Sequence, residues 1–221
     1  MPMFTISETD HERIREAVRS AESNTSGEIV CYLVESSGSY RIAEFRAGVF
    51  GTFTAILIAL GLLVASSGWG LGWLETAAGI IVVALGGALL GVVPAVLWPP
   101  CRRFFAGVSR MARTVRLQAY RAFVEEEVFA TRDRTGILIF ISVFEHRVEV
   151  LADKGINAVV ADGVWSEVVS MIVRGIKDET LTDGLLAGIE RCGQILHDHG
   201  VDVRTPDPNE LPDDLRIKRG L

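Results

Sequence analysis

Three carboxylates fall where strands and helices are predicted to begin or end: Asp133 before an apolar strand, Asp153 after a hairpin and Asp162 before a helix. Gathered at one end of a sheet, such side chains could hold Ca²⁺ or Mg²⁺, hard cations that take oxygen ligands. Each also has a plainer reading. Asp153 precedes Lys154-Gly155 and suits a turn, and Asp162 precedes Gly163 and suits a helix cap. Motifs for nucleophilic or zinc chemistry are missing, since the chain has no G-x-S-x-G, no H-E-x-x-H and no paired-cysteine pattern. His197 and His199 stand two apart on a predicted helix and project about 200° apart around its axis, too divergent to share a metal. Cys31, Cys101 and Cys192 are an odd set without metal-ligand spacing. Cys31 and Cys192 sit in apolar patterns as packed thiols of a reducing compartment. Cys101 sits at a membrane boundary, where lipidation is the alternative to a plain boundary residue. No certain cofactor follows, and the residues lean away from an enzyme.

The elements that must position these groups are arranged around residues 47–101, whose one charged side chain is Glu75. A spanning helix needs about 20 apolar residues to cross the hydrocarbon. This stretch supplies two, over 47–66 and 76–98, with a turn of glycines, Trp69 and Trp73 between them. Arg41 and Arg46 precede the first span, and Arg102, Arg103, Arg110, Arg113, Arg116 and Arg121 follow the second, while the turn has no Lys or Arg. By the positive-inside rule both flanks are cytoplasmic. Residues 1–10 lack the apolar core of a cleavable signal. The expectation is a two-span inner-membrane protein with both termini in the cytosol. The collar arginines form a lipid-surface candidate, because cations near an anionic leaflet are attracted to it. With no acid among residues 101–124, those six arginines leave −12 on the rest of a chain whose net charge is −6. That balance argues against a nucleic-acid partner.

Outside the hairpin, Ser7–Asp10 has the form of a capping box ahead of a helix. Glu28–Val34 reads as a strand buried on both faces, and 136–143 as a second, central one. Residues 147–151 alternate Arg, Val, Glu, Val, Leu, which predicts a hairpin partner with one wetter face. Pro99-Pro100 is predicted to stop the second span, and 104–129 to form one amphipathic helix with Phe104, Val108, Met111, Val115, Ala119 and Ala122 on a common face. Helices are predicted over 163–174 and 181–199, and a loosely held tail over 206–221. Gly87 and Gly91 make a small-xxx-small pattern that fits packing inside the hairpin or a dimer through it.

Several of these stretches together resemble the TPM domain family: Thr25-Ser26-Gly27-Glu28-Ile29, then residues 131–139 (TRDRTGILI), 147–156 (RVEVLADKGI), Trp165, and Asn209-Glu210-Leu211-Pro212-Asp213. The resemblance implies an α/β sandwich, a small mixed sheet flanked by helices, interrupted by a two-helix transmembrane hairpin after its first strand. The corresponding domains are a discontinuous cytosolic one over 1–45 and 102–205, the hairpin over 46–101 and the tail. Some members of the family are described as metal-binding or as acid phosphatases, which implies a metal-dependent phosphatase-like hydrolase as one function. The residues themselves favour an interaction module that assists assembly or maintenance of a membrane complex, with membrane lipid and a membrane protein as partners. Binding of anionic lipid is a third reading.

Overall fold

A computed structural model describes residues 6–65, 72–201 and 209–218, with the backbone but not the side chain of Asp162. The chain forms two compact units, one from residues 1–38 and 112–221, the other from 39–111.

The first unit is an α/β sandwich. Helix α1 (Glu8–Glu22) opens on the predicted capping box, with Ser7 Oγ accepting from Asp10 N–H and the Asp10 carboxylate accepting from Ser7 N–H. Strand β1 (Glu28–Val34) runs parallel to β2 (Gly136–Ser142), and β2 turns back into antiparallel β3 (Arg147–Ala152). Sheet order is β3-β2-β1-β4, with β4 (Arg216–Lys218) parallel to β1. Both central strands are apolar throughout because both their faces are covered. Ile29, Cys31 and Leu33 of β1 face one layer with Ile137, Ile139 and Ile141 of β2. That layer is closed by α1, α7 (Ser166–Lys177) and α8 (Leu181–Asp198). Val30, Tyr32 and Val34 face the other layer, where they meet Leu138, Phe140 and the Val115, Ala119 and Ala122 side of α5 (Val108–Glu125). Short helix α6 (Lys154–Asn157) links β3 to the 3-10 turn Asp162–Trp165 ahead of α7.

The second unit is a helical hairpin. Helices α2 (Arg41–Ala65) and α3 (Ala77–Leu97) are long and apolar enough to cross a membrane. Their side chains are largely exposed, Leu57 at 67% and Leu90 at 77%, which a buried core helix of this composition would not be. The two helices touch along small residues. A Cβ built on Gly51 would meet the Gly87 carbonyl, and one on Gly91 the Ala47 carbonyl, so the backbones approach where side chains are absent. At the base, Glu44 pairs with Arg102 at 3.1 Å and Arg46 donates to the Phe105 carbonyl at 3.2 Å.

Three expectations are corrected. Pro99-Pro100 ends α3 but also supplies the first turn of α4 (Pro99–Ala106), where a missing N–H costs nothing. The single helix over 104–129 is broken at Gly107, whose φ of 85° suits glycine. The break turns Phe104 and Val108 outward to 80% and 66% exposure, off the apolar face expected for them. The tail is held over its described residues 209–218: Asp213 and Leu215 are buried, and β4 pairs with β1. The turn with Trp69 lies outside the described residues, while Trp73 is half exposed on a 3-10 turn, Gly72–Glu75.

Candidate functional site

The three candidate acids meet different fates. Asp153 is buried and fully engaged, its carboxylate taking Arg134 Nε at 2.6 Å and Arg134 Nη2 at 3.2 Å while capping α6 through Lys154 N–H at 2.8 Å. Arg134 holds a left-handed backbone, φ 63°, and its guanidinium lies 5.5 Å from the Phe129 ring. Asp133 is exposed in the same loop, against which the Asp153–Gly155 turn packs through Gly155 N–H to Arg134 O at 2.9 Å. Asp162 begins the 3-10 turn before α7, and its side chain lies outside the described residues. Among the described residues no group of three or more His, Cys, Asp or Glu is arranged to hold a metal ion. The Asp153 carboxylate acts here as cap and ion-pair partner.

A different feature of this unit lies at the edge of its sheet. Strand β3 is the sheet edge, and it lies at the bottom of a groove of about 1060 Å³. One wall is Trp165, Val169 and Val173, on and just before α7; the other is Arg116, Tyr120 and Phe123 of α5. The periodicity of 147–152 built this arrangement. Val148, Val150 and Ala152 turn toward the α7 layer, and Leu151 turns toward the α5 layer, where it and Phe123 pack against the same buried cluster. On the α5 side Glu149 is half-buried, and desolvation raises its pKa against the opposing pull of Arg116 and Arg147. Arg116 also lies over Tyr120, 5.7 Å from the ring and 3.2 Å from its hydroxyl. Trp165 is buried, and its indole N–H has no acceptor among the described residues. Residue spacing alone does not reveal the groove; the signal for it is the charged alternation Arg147, Glu149, typical of a strand with one edge left open.

Other titratable groups serve the core. Glu22 accepts from Ile29 N–H at 2.7 Å, and burial, helped by Glu28 and Asp213, pushes its pKa up to about 8. Burial pushes Cys31 up to about 12 and Cys192 higher still, which leaves both as unreactive thiols. Among the collar arginines, Arg102 is tied to Glu44, Arg103 is half-buried, Arg116 lies on Tyr120, and Arg110, Arg113 and Arg121 are exposed on α5.

Comparisons with known proteins agree with this fold. The NMR structure of the BA42 protein from the psychrophilic bacterium Bizionia argentinensis superposes with a TM-score of 0.59, covering 97% of this chain and 97% of that one at 20% identity. At that identity the likeness is one of fold. No curated protein matches the chain. A family model, described as the TPM domain, matches residues 108–195, which run from α5 through β2, β3 and α7 into α8. The matched segment, similar to a TPM domain, holds both walls and the floor of the groove.

Proposed function

We propose that this is an inner-membrane protein whose hairpin crosses the bilayer twice and tethers a cytosolic TPM domain that binds protein partners, in the assembly or maintenance of a membrane complex. The observation that carries the reading is the groove of about 1060 Å³ along the open edge of the sheet, with a mostly apolar lining. The two apolar helices support the membrane part, and the arginines at the cytosolic ends of the spans support the orientation. A photo-crosslinking amino acid at Val169, in intact membranes, tests the proposal. Discrete adducts with membrane-complex subunits are expected, absent when the crosslinker is moved to Glu190 on the outer side of α8. Equal labelling from both positions would overturn it.

The phosphatase alternative asks for a cluster of acids free to clamp a metal and phosphoryl oxygens. Asp153 is committed to Arg134 and to α6, so the binding reading expects no turnover of phosphomonoesters between pH 4 and 8 with Ca²⁺, Mg²⁺ or Mn²⁺. Metal-dependent turnover lost in Asp133→Asn, Asp153→Asn or Asp162→Asn would install the enzyme instead. One observation favours a lipid contribution: the exposed side of α5 combines Arg110, Arg113 and Arg121 with the apolar Leu117 and Val124.

A further inference from the structure

Resting on the reading of the groove as a protein-binding surface, we infer that its partner enters as an extended strand added to β3, with apolar residues alternating with acidic ones. The hydrogen-bond parity of β3 is fixed by Asp153 N–H, which donates to Gly136 O at 2.9 Å across a register that sets residue 152 opposite 137 and residue 147 opposite 142. Arg147, Glu149 and Leu151 therefore bond to β2, and the backbone groups of Val148, Val150 and Ala152 point away from it. The Ala152 carbonyl is taken by Asn157 Nδ2 at 2.7 Å. The N–H and C=O of Val148 and Val150, with the N–H of Ala152, take no partner among the described residues. They present donors and acceptors in a row about 14 Å long, at the spacing that an extended chain reproduces.

The walls define the chemistry of that chain. Side chains of an added strand alternate between the two faces of the sheet. Those on one face meet Val169, Val173 and Trp165, and those on the other meet Arg116, Tyr120 and Phe123. Among the described residues of the second face, Arg116 and Arg147 both act on the carboxylate of Glu149. At the α6 end Lys154 lines the groove, and Asp153 is already neutralised by Arg134. The balance is positive and favours an acidic segment. The groove also argues against a second copy of this chain. A partner β3 would arrive with its own α5 and α7, whereas α5 and α7 here already stand on both sides of the edge, leaving room for one strand.

The probe is a fluorescein-labelled, acetylated and amidated octapeptide alternating Val and Glu. It is titrated by anisotropy onto the full chain in phosphatidylcholine nanodiscs. Saturable binding is expected, at least 10-fold tighter than for the Val/Lys counterpart. N-methylation of one alternate set of peptide nitrogens should weaken binding at least 10-fold and of the other set hardly at all, because only one edge of the added strand faces β3. Val150→Pro removes an outward N–H without touching a bond to β2 and should also cost at least 10-fold; should that variant not fold, the N-methylated peptides probe the same backbone contacts on the unaltered protein. Absence of peptide binding would overturn the inference, as would binding lost in Val169→Glu but insensitive to either N-methylation. That last pattern would leave the protein-binding reading standing with a different mode. Self-association of the chain that Val150→Pro abolishes would overturn it in favour of a second copy.

Discussion

Replacing Glu22 by Gln should remove a pH dependence that is built into the sheet. Glu22 sits at the end of α1, where its carboxylate accepts from Ile29 N–H at 2.7 Å. Desolvation is the largest influence on it; Glu28 and Asp213 add repulsion, and the Ile29 bond and Arg19 oppose. The folded protein thus holds the proton to about 8, while the unfolded chain releases it near 4.5. Between those values the folded state binds more protons, so rising pH favours unfolding. The stability is fully present below about 4.5 and is lost as pH climbs through 8. One proton costs about 1.4 kcal/mol per pH unit, and access of water to a half-buried group brings the whole effect to about 2 kcal/mol. Gln keeps an oxygen acceptor for Ile29 and carries no charge. The variant should match the wild type at pH 5 and exceed it at pH 9 by about 6 °C in Tm for a chain of this size. The assay is thermal unfolding followed by Trp165 fluorescence, in a background with Trp69, Trp73 and Trp98 replaced by Phe. Parallel pH curves for the two proteins would refute the reasoning.

Other outcomes follow from the same geometry. Arg134→Ala leaves Asp153 buried without its ion pair and should cost about 2–3 kcal/mol; Arg134→Gly loses the same pair but relieves the positive φ and should be milder by about 1 kcal/mol in chemical denaturation. Maleimide at pH 7.5 should label Cys101 in the native protein and spare Cys31 and Cys192, with all three labelled in denaturant; fast native labelling of Cys192 would contradict its burial. Gln at Arg110, Arg113 and Arg121 should abolish the extra amide protection of α5 seen in anionic over neutral nanodiscs, a protection that salt reverses; protection independent of lipid charge would leave that face structural.

Much of the sandwich was legible because the strands that matter are apolar on both sides. Glu28–Val34 and Gly136–Ser142 read as central strands from composition, and burial of every residue follows from helices on both faces. The two apolar helices were equally plain. Where the reading failed, the deciding interaction was distant or local in a way that periodicity does not record. The 104–129 pattern scans as one helix, yet Gly107 breaks it with one backbone angle. The tail is polar and proline-rich, yet Glu28 accepts from Glu210 N–H and Leu211 N–H, each at 3.2 Å, and Arg216 reaches Glu126 at 3.2 Å. Those bonds join residues more than 80 positions apart in the chain. The groove was half legible: the alternating strand could be seen, but not that α5 and α7 would leave its edge uncovered.

That a long helical hairpin can sit between two neighbouring strands of this sheet follows from how β1 and β2 are joined. Parallel neighbours cannot be linked by a tight turn and need a crossover of a dozen residues or more. The hairpin unit, residues 39–111, is placed in that crossover, where the chain must leave the sheet and return in any case. Loop-closure entropy grows only with the logarithm of length, so the inserted residues cost about 1 kcal/mol even as a flexible chain. Most of them are held in α2 and α3. The glycine contacts of α2 with α3 and the Glu44–Arg102 pair at 3.1 Å draw the two ends of the unit together and shorten the effective loop. An even number of apolar helices brings the chain back to the side it left, so the sheet closes as though the insertion were absent. In the two-span topology proposed above, one long helix in the same place would carry the second strand across the bilayer and abolish the β1–β2 pairing.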